Sequence, residues 1–213
     1  TASDPSCNGG NDGFAVAIPS GGTGSFTFAW STGDTTDTAF NLSAGGYTVT
    51  VEDANGCDED GFAILNNPSG MSISMSSTNP TCAGGNNGTA NANITGGSGA
   101  ISYLWTTGDT TAAISGLTAG TYTVTGTDTS GCTITDSVTL TDPSGMTLTM
   151  GGSDPTCFGD STGSVSVSVT GGSGTISLLW STGDNSNTVN NLPAGTYTVT
   201  ATDANGCSAL ASS

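Results

Sequence analysis

Six cysteines are the residues of this sequence best placed for covalent chemistry, and their spacing is regular. Cys7, Cys82 and Cys157 recur every 75 residues, as do Cys57, Cys132 and Cys207, with 50 residues between the two cysteines of each copy. None has a second ligand at metal-binding spacing, so the set reads as structural disulfides rather than a zinc site. If each copy has six strands, the loop after the first strand and the loop before the last share an end. Bridges then form within copies: Cys7–Cys57, Cys82–Cys132 and Cys157–Cys207. A seventh strand would send those loops to opposite ends and favour a bridge across a junction, such as Cys57–Cys82. Structural disulfides imply an oxidising, extracellular setting.

Other residues could do chemistry in principle. "GDSTG" at Gly159–Gly163 matches the pattern of a hydrolase nucleophile elbow, but that motif needs a strand–turn–helix and a base. The chain has no His, Lys or Arg, and the other copies read "GGNDG" and "GGNNG" at the same place. No catalytic residue is expected, and the chain is read as a non-enzyme. Calcium is the one cofactor the residues could suggest. Asp34, Asp109 and Asp184 recur in "TGD", Asp53, Asp128 and Asp203 recur before a Gly-Cys pair, and Asp58, Glu59 and Asp60 cluster as the best calcium candidate. The simpler reading is that these carboxylates cap turns, so no cofactor is expected. The sequons at Asn41, Asn87 and Asn93 are at chance level in a Thr-rich chain.

The charge balance excludes whole classes of partner. Seventeen acidic residues face no basic side chain, for a formal net charge of −17. Nucleic acid is excluded, because phosphate binding needs cations. An anionic membrane surface would repel the chain. No apolar run approaches the roughly 20 residues of a membrane-spanning helix, so no membrane insertion is expected of this segment. No side-chain ion pair can form.

The elements that must position the cysteines repeat with them. Each copy alternates short apolar-polar runs with turn signals. "MSISM" (Met71–Met75) reads as a strand, "NPTCAGGNNG" as a loop, and "SVSVSVT" (Ser164–Thr170) as a strand. "ISYLW" puts Ile101, Tyr103 and Trp105 on one face, and "TYTVT" sends Tyr122 and Val124 inward. "ANG" and "TSG" mark a tight hairpin. Six or seven short strands per copy with no helical period predict an all-β protein of tandem immunoglobulin-like (PKD-like) β-sandwich repeats. The repeats run over 1–67 (first strand missing), 68–142 and 143–213 (last strand incomplete). Each is small enough that its apolar core is marginal, which is why it needs staples.

The first copy inverts its apolar phase. Phe14, Val16 and Ile18 align with polar or small residues elsewhere, as do Phe40, Phe62 and Ile64, while Ala15, Ala17, Ala39 and Ala63 take the inward positions. Either several strands have slipped by one residue and exchanged faces, or this copy exposes an apolar sheet face that serves as an interface.

Strings such as "GGSGTISLLWSTGD" and "LPAGTYTVTATDANGC" resemble the SprB-type repeats of giant cell-surface adhesins from gliding Bacteroidota. The resemblance covers the whole chain: every copy carries the Trp, the Gly-Asp turn, the Tyr-Thr-Val-Thr strand and the Gly-Cys pair. A looser similarity to PKD-type sandwiches rests on the Trp-to-Gly-Asp stretch. The resemblance implies type 9 secretion, display on the cell surface, adhesion during gliding motility, and O-glycosylation at sites such as Asp109-Thr110-Thr111. It carries over no catalytic residue. The function expected is a structural repeat segment of a secreted adhesin or surface filament. Its expected partners are neighbouring repeats of the same protein and other copies in a filament. The alternative is a carbohydrate-binding module that recognises surface glycans, with Trp30, Trp105 and Trp180 as its aromatic platform if they are exposed.

Overall fold

The computed structural model describes residues Thr1–Ser213. Every regular element is a strand. The first copy holds β1 (Ala2–Ser3), β2 (Gly13–Val16), β3 (Thr27–Trp30), β4 (Thr38–Leu42), β5 (Gly45–Glu52) and β6 (Asp58–Leu65). The second holds β7 (Ser72–Thr78), β8 (Gly88–Thr95), β9 (Ser102–Trp105), β10 (Ala113–Leu117), β11 (Gly120–Thr127) and β12 (Thr133–Leu140). The third holds β13 (Thr147–Ser153), β14 (Gly163–Thr170), β15 (Ser177–Trp180), β16 (Thr188–Leu192), β17 (Thr198–Thr202) and β18 (Ser208–Ser212). Each copy forms two three-stranded sheets, ordered β1-β2-β4 with β3-β5-β6, β7-β8-β10 with β9-β11-β12, and β13-β14-β16 with β15-β17-β18. This is the immunoglobulin-like sandwich the strand pattern predicts. The chain divides into two compact units. One comprises Thr1–Met75, Ala92–Ala112 and Thr123–Ser137; the other comprises Ser76–Asn91, Ala113–Tyr122 and Val138–Ser213.

In the first copy the core joins both sheets: Ala15, Ala39 and Leu42 from one, and Trp30, Val49 and Leu65 from the other. The third copy uses the same positions with larger residues on β14, namely Val165 and Val167 packed with Trp180, Val189, Leu192 and Val199. Strand alternation explains the pattern, since residues two apart share a face. Each indole N–H donates to a carbonyl six residues on, Trp30 to Thr36 (3.0 Å), Trp105 to Thr111 (2.8 Å) and Trp180 to Ser186 (2.8 Å). The buried Trp thus satisfies its one polar atom, as a core position requires. Each motif tyrosine closes the turn before its strand: Tyr47, Tyr122 and Tyr197 hydroxyls donate to the carbonyls of Ser43, Thr118 and Pro193.

Strand direction decides where the cysteines lie. β4 is antiparallel to β2, and its last residue Leu42 pairs with Gly13, the first residue of β2, beside the Cys7 loop. β5 starts there and runs eight residues away, so its hairpin to β6 sits at the far end of the sandwich. β3 is antiparallel to β5 and therefore runs the same way as β4. A closed turn after Trp30 (Gly33 N–H to Trp30 carbonyl, 2.9 Å, and Trp30 N–H to Asp34 carbonyl, 3.0 Å) lets the chain cross between sheets without reversing. Six strands therefore behave as the sequence analysis assigns to seven. About eight residues at ~3.3 Å each separate Cys7 from Cys57, far beyond disulfide reach.

Two neighbours on β15 test the core assignment. Trp180 is 2% exposed and Leu179 is 61% exposed. Trp180→Ala is expected to cost about 3–5 kcal/mol in denaturant unfolding, and Leu179→Ala less than about 0.5 kcal/mol. Equal losses would contradict the assigned faces.

Candidate functional site: the cysteine junctions

Two disulfides form, and both join successive copies. Cys7 bonds Cys132 with Cα atoms 5.6 Å apart, and Cys82 bonds Cys207 at 5.4 Å. Each lies within one compact unit. Cys57 and Cys157 are free and exposed, whereas the four bonded cysteines are half-buried. The within-copy pairs Cys7–Cys57, Cys82–Cys132 and Cys157–Cys207 are thus corrected, and so is the junction pair Cys57–Cys82. The first cysteine of a copy sits at the end where the chain leaves for the next copy. The second sits at the end where the chain enters. The bridge therefore runs from a first cysteine to the second cysteine of the copy that follows.

The hairpin that presents the second cysteine is built on one aspartate. Asp128 Oδ1 accepts the N–H groups of Ser130 (2.9 Å) and Cys132 (3.0 Å), and Oδ2 accepts that of Ser98 (2.9 Å). Asp203 does the same with Asn205, Cys207 and Ser173, and Asp53 with Asn55, Cys57 and Thr23. These bonds hold the carboxyls of Asp53 and Asp128 below the usual range, led by the N–H of Cys57 and of Ser98 respectively. At Asp203 desolvation is the largest single influence and pushes upward. The N–H bonds from Cys207, Ser173 and Asn205 together outweigh it.

The loop that presents the first cysteine is also locally fixed. Gly10 and Gly85 N–H donate to the carbonyls of Cys7 and Cys82 (both 2.9 Å), and Asp160 N–H donates to that of Cys157 (3.1 Å). A side-chain oxygen further along caps the residue before each cysteine: Asp12 on Ser6, Asn87 on Thr81 and Thr162 on Thr156. Around the Cys7–Cys132 bridge, Asn8 Nδ2 donates to the Pro68 carbonyl (3.0 Å), and Gly9 N–H to Asn67 Oδ1 (3.0 Å). A cleft of about 620 Å³ lined by Cys7, Pro68, Met71, Asp128 and Cys132 opens beside it. Gly96 and Gly171 have positive φ, and a Cβ on either would overlap the carbonyl of the linker glycine, Gly70 or Gly145. The linker approaches that closely only because those positions carry no side chain.

The remaining candidates are dispersed. Asp58, Glu59 and Asp60 open strand β6, so alternation sends Glu59 to the face opposite Asp58 and Asp60. Asp60 Oδ1 accepts the Thr50 hydroxyl (2.7 Å), and the three carboxylates do not converge as a calcium site requires. Asp34 and Asp109 accept hydroxyls from Thr32 and Thr107 within their own turns (2.7 Å each). Ser161 is exposed in the Cys157 loop, outside any strand–turn–helix. Phe14, Ile18, Phe40, Phe62 and Ile64 are exposed, Val16 is half-buried, and Ala15 and Ala39 are fully buried. They do not form one face. Phe14, Val16 and Phe40, with the Phe14 and Phe40 rings 6.3 Å apart, belong to the β1-β2-β4 sheet, whereas Phe62 and Ile64 belong to β3-β5-β6. The outer surfaces of a sandwich's two sheets point opposite ways, so these are two patches.

The aspartate caps give a pH prediction. A carboxyl with a lowered folded pKa stabilises the fold above its unfolded value of about 3.9, and that contribution is lost as pH falls through the folded value. Thermal melts are expected to be level from neutral pH down to about 5 and to drop steeply below about 4. Asp203→Asn should lower the melting temperature at neutral pH and flatten the acid slope. An unchanged slope would contradict the capping role.

No curated protein matches this chain in sequence. Among solved structures it is similar to the N-terminal eight Ig domains of Down syndrome cell adhesion molecule (14% identity, TM-score 0.43, 98% of this chain and 34% of that one). The chain thus spans about a third of that structure's length. It is also similar to extracellular domains 3–5 of Drosophila OTK (11%, TM-score 0.28, 88% and 83%) and to domains 7, 8 and 9 of the S-layer protein SbsC (14%, TM-score 0.28, 88% and 78%). These scores are too low to carry an argument from those proteins to this one. The family comparison is specific: the SprB repeat model matches residues 1–35, 74–110 and 153–185. Each match falls in one cysteine-bearing copy, and the chain is a run of SprB repeats.

Proposed function

We propose that this chain is a non-catalytic structural segment of a secreted, cell-surface adhesin or surface filament. It acts as a disulfide-stapled acidic stalk for adhesion or gliding motility. The observation that carries the reading is that each junction between copies is crossed twice, once by the peptide linker and once by a disulfide. A fold that served only to present a ligand site would not need its neighbours joined covalently, whereas a segment under tension gains from it. The extracellular setting follows from the same bonds, and the net charge of −17 keeps the surface hydrated. The resemblance to gliding adhesins supports motility as the context. Calcium is not required by this reading.

Glycan recognition is the second reading, and one observation weighs against it. Trp30, Trp105 and Trp180 are 6%, 2% and 2% exposed, so they offer no stacking platform. The two apolar patches on the first copy are the better candidates for contact with other copies.

Pulling on the two termini of single molecules tests the stalk. In the oxidised chain the shortest covalent path runs from Thr1 to Cys7, across one bridge to Cys132, back along the chain to Cys82, across the other bridge to Cys207, and on to Ser213. Its full extension is expected to be about 220 Å, against about 700 Å for the reduced chain. Equal extensions would remove the covalent coupling on which the proposal stands.

A further inference from the structure

The outer face of strand β6 differs from its counterparts in the other copies. Ala63 packs against the core and Leu65 is buried, so alternation turns Asp58, Asp60, Phe62 and Ile64 outward on one face. Phe62 and Ile64 are 67% and 60% exposed. The register with β5 sets Glu52 opposite Asp58, Thr50 opposite Asp60, Thr48 opposite Phe62 and Gly46 opposite Ile64. The Phe62 ring lies over Gly46, where an added Cβ would come within 3.2 Å of it. One half of this face is thus apolar, and the other carries the carboxylates of Glu52, Asp58 and Asp60. From Asp58 to Ile64 it is about 20 Å long at ~3.3 Å per residue.

The fold does not need these side chains. In the second copy the same positions of β12 are Thr133, Thr135, Ser137 and Thr139, with Thr121 and Thr127 in place of Gly46 and Glu52. Hydroxyl pairs join the strands there, Thr121 with Thr139 (2.9 Å) and Thr125 with Thr135 (3.3 Å). In the third copy β18 presents Ser208, Leu210 and Ser212, without a charge. The second copy is joined to a copy on each side, and its four equivalents on β12 are all exposed. Neighbouring copies therefore leave this face open. In the first copy the face also carries a cost. Like charges directly opposite one another, as at Glu52 and Asp58, destabilise a sheet, and the chain has no Lys or Arg to relieve them.

We propose that this face of the first copy is a docking surface for a basic, amphipathic segment of a second protein. The segment's apolar side chains pack on Phe62 and Ile64 over Gly46, and its Lys or Arg side chains meet Glu52, Asp58 and Asp60. An exposed apolar patch rimmed by polar residues marks an interface. An aromatic anchor such as Phe62 supplies affinity, and the carboxylates fix orientation and speed the encounter. Contact with another copy, open to both patches on apolarity alone, is disfavoured at this one, because another copy brings further carboxylates and no basic side chain. Strands β1, β2 and β4, which carry the Phe14–Phe40 patch, have no carboxylate.

This docking surface goes beyond the stalk reading and does not rest on it. The test titrates the intact, oxidised chain with the end-blocked peptide Trp-Thr-Val-Thr-Lys-Thr-Lys and with its reverse, following backbone amides by NMR. Each peptide, when extended, carries two apolar and two cationic side chains on one face. Two double variants give the first copy the residues of the second: Phe62→Ser with Ile64→Thr, and Asp58→Thr with Asp60→Thr. Both should melt no lower than the wild type, since the second copy folds with those residues. Shifts are expected from at least one peptide and confined to β3, β5 and β6. Phe62→Ser with Ile64→Thr leaves the net charge at −17 and should weaken binding at least about tenfold. Asp58→Thr with Asp60→Thr should weaken it and flatten its salt dependence. Undiminished binding to the Phe62→Ser, Ile64→Thr variant overturns the proposal, because the attraction is then that of any cation for an acidic chain. So does equal binding of peptides with Gln in place of Lys, equal shifts on β11 and β12, or no shift at millimolar peptide. Self-association of the chain alone that Phe62→Ser with Ile64→Thr abolishes also overturns it, by assigning the face to a second copy. None of these outcomes touches the two bridges, so the stalk reading stands or falls separately by pulling.

Discussion

The disulfide between a loop of one copy and a hairpin of the next is the interaction on which this architecture depends. Each sandwich has a thin core: six buried side chains in the first copy, two of them alanine. Sandwiches of this size bury little apolar area per residue ordered. A bridge that closes a stretch of 125 residues restricts the unfolded chain slightly more than one closed within a copy, by about 0.8 kcal/mol in loop entropy. It also couples the folding of neighbours, because neither half-joint is complete until both copies have formed.

The absence of basic side chains makes the polar bookkeeping unusual. Carboxylates cannot pair with cations, so they take backbone N–H groups instead, as Asp53, Asp128 and Asp203 do at the hairpins. Hydroxyls pair across strands where ion pairs would otherwise stand: Thr78 with Thr89 (2.7 Å), Thr121 with Thr139 (2.9 Å) and Ser153 with Ser164 (3.0 Å). No buried side-chain polar atom is left without a partner. The hairpin aspartate links this chemistry to the cysteines, since the carboxylate that shapes the turn also fixes the backbone of the residue carrying the thiol. That is a physical reason for Asp and Cys to recur four residues apart in every copy.

Much of this was legible in the residues. The 75-residue period, the strand alternation and the buried Trp follow from pattern alone. The inverted phase of the first copy is consistent with either a strand slip or an exposed apolar face; in the structure Phe40 and Phe62 are exposed while Ala15 and Ala39 are buried. The pairing of the cysteines was not legible. It turns on the Trp-to-Gly-Asp turn, whose sequence reads as an ordinary reversal but whose hydrogen bonds let β3 and β4 run in the same direction. Counting strands gives the wrong end when one connection fails to reverse. Likewise Phe14 and Phe62 look alike in an alignment, and only sheet membership separates them.

Disulfide mapping of the oxidised monomer is the most direct test of this account. An Asp-directed digest without reductant should yield 4–11 joined to 128–135, and 203–213 joined to the fragment carrying Cys82, with 53–57 and 154–159 unlinked. Recovery of 4–11 joined to 53–57 would mean that the two loops share an end after all, and the linked-repeat account would fail with it.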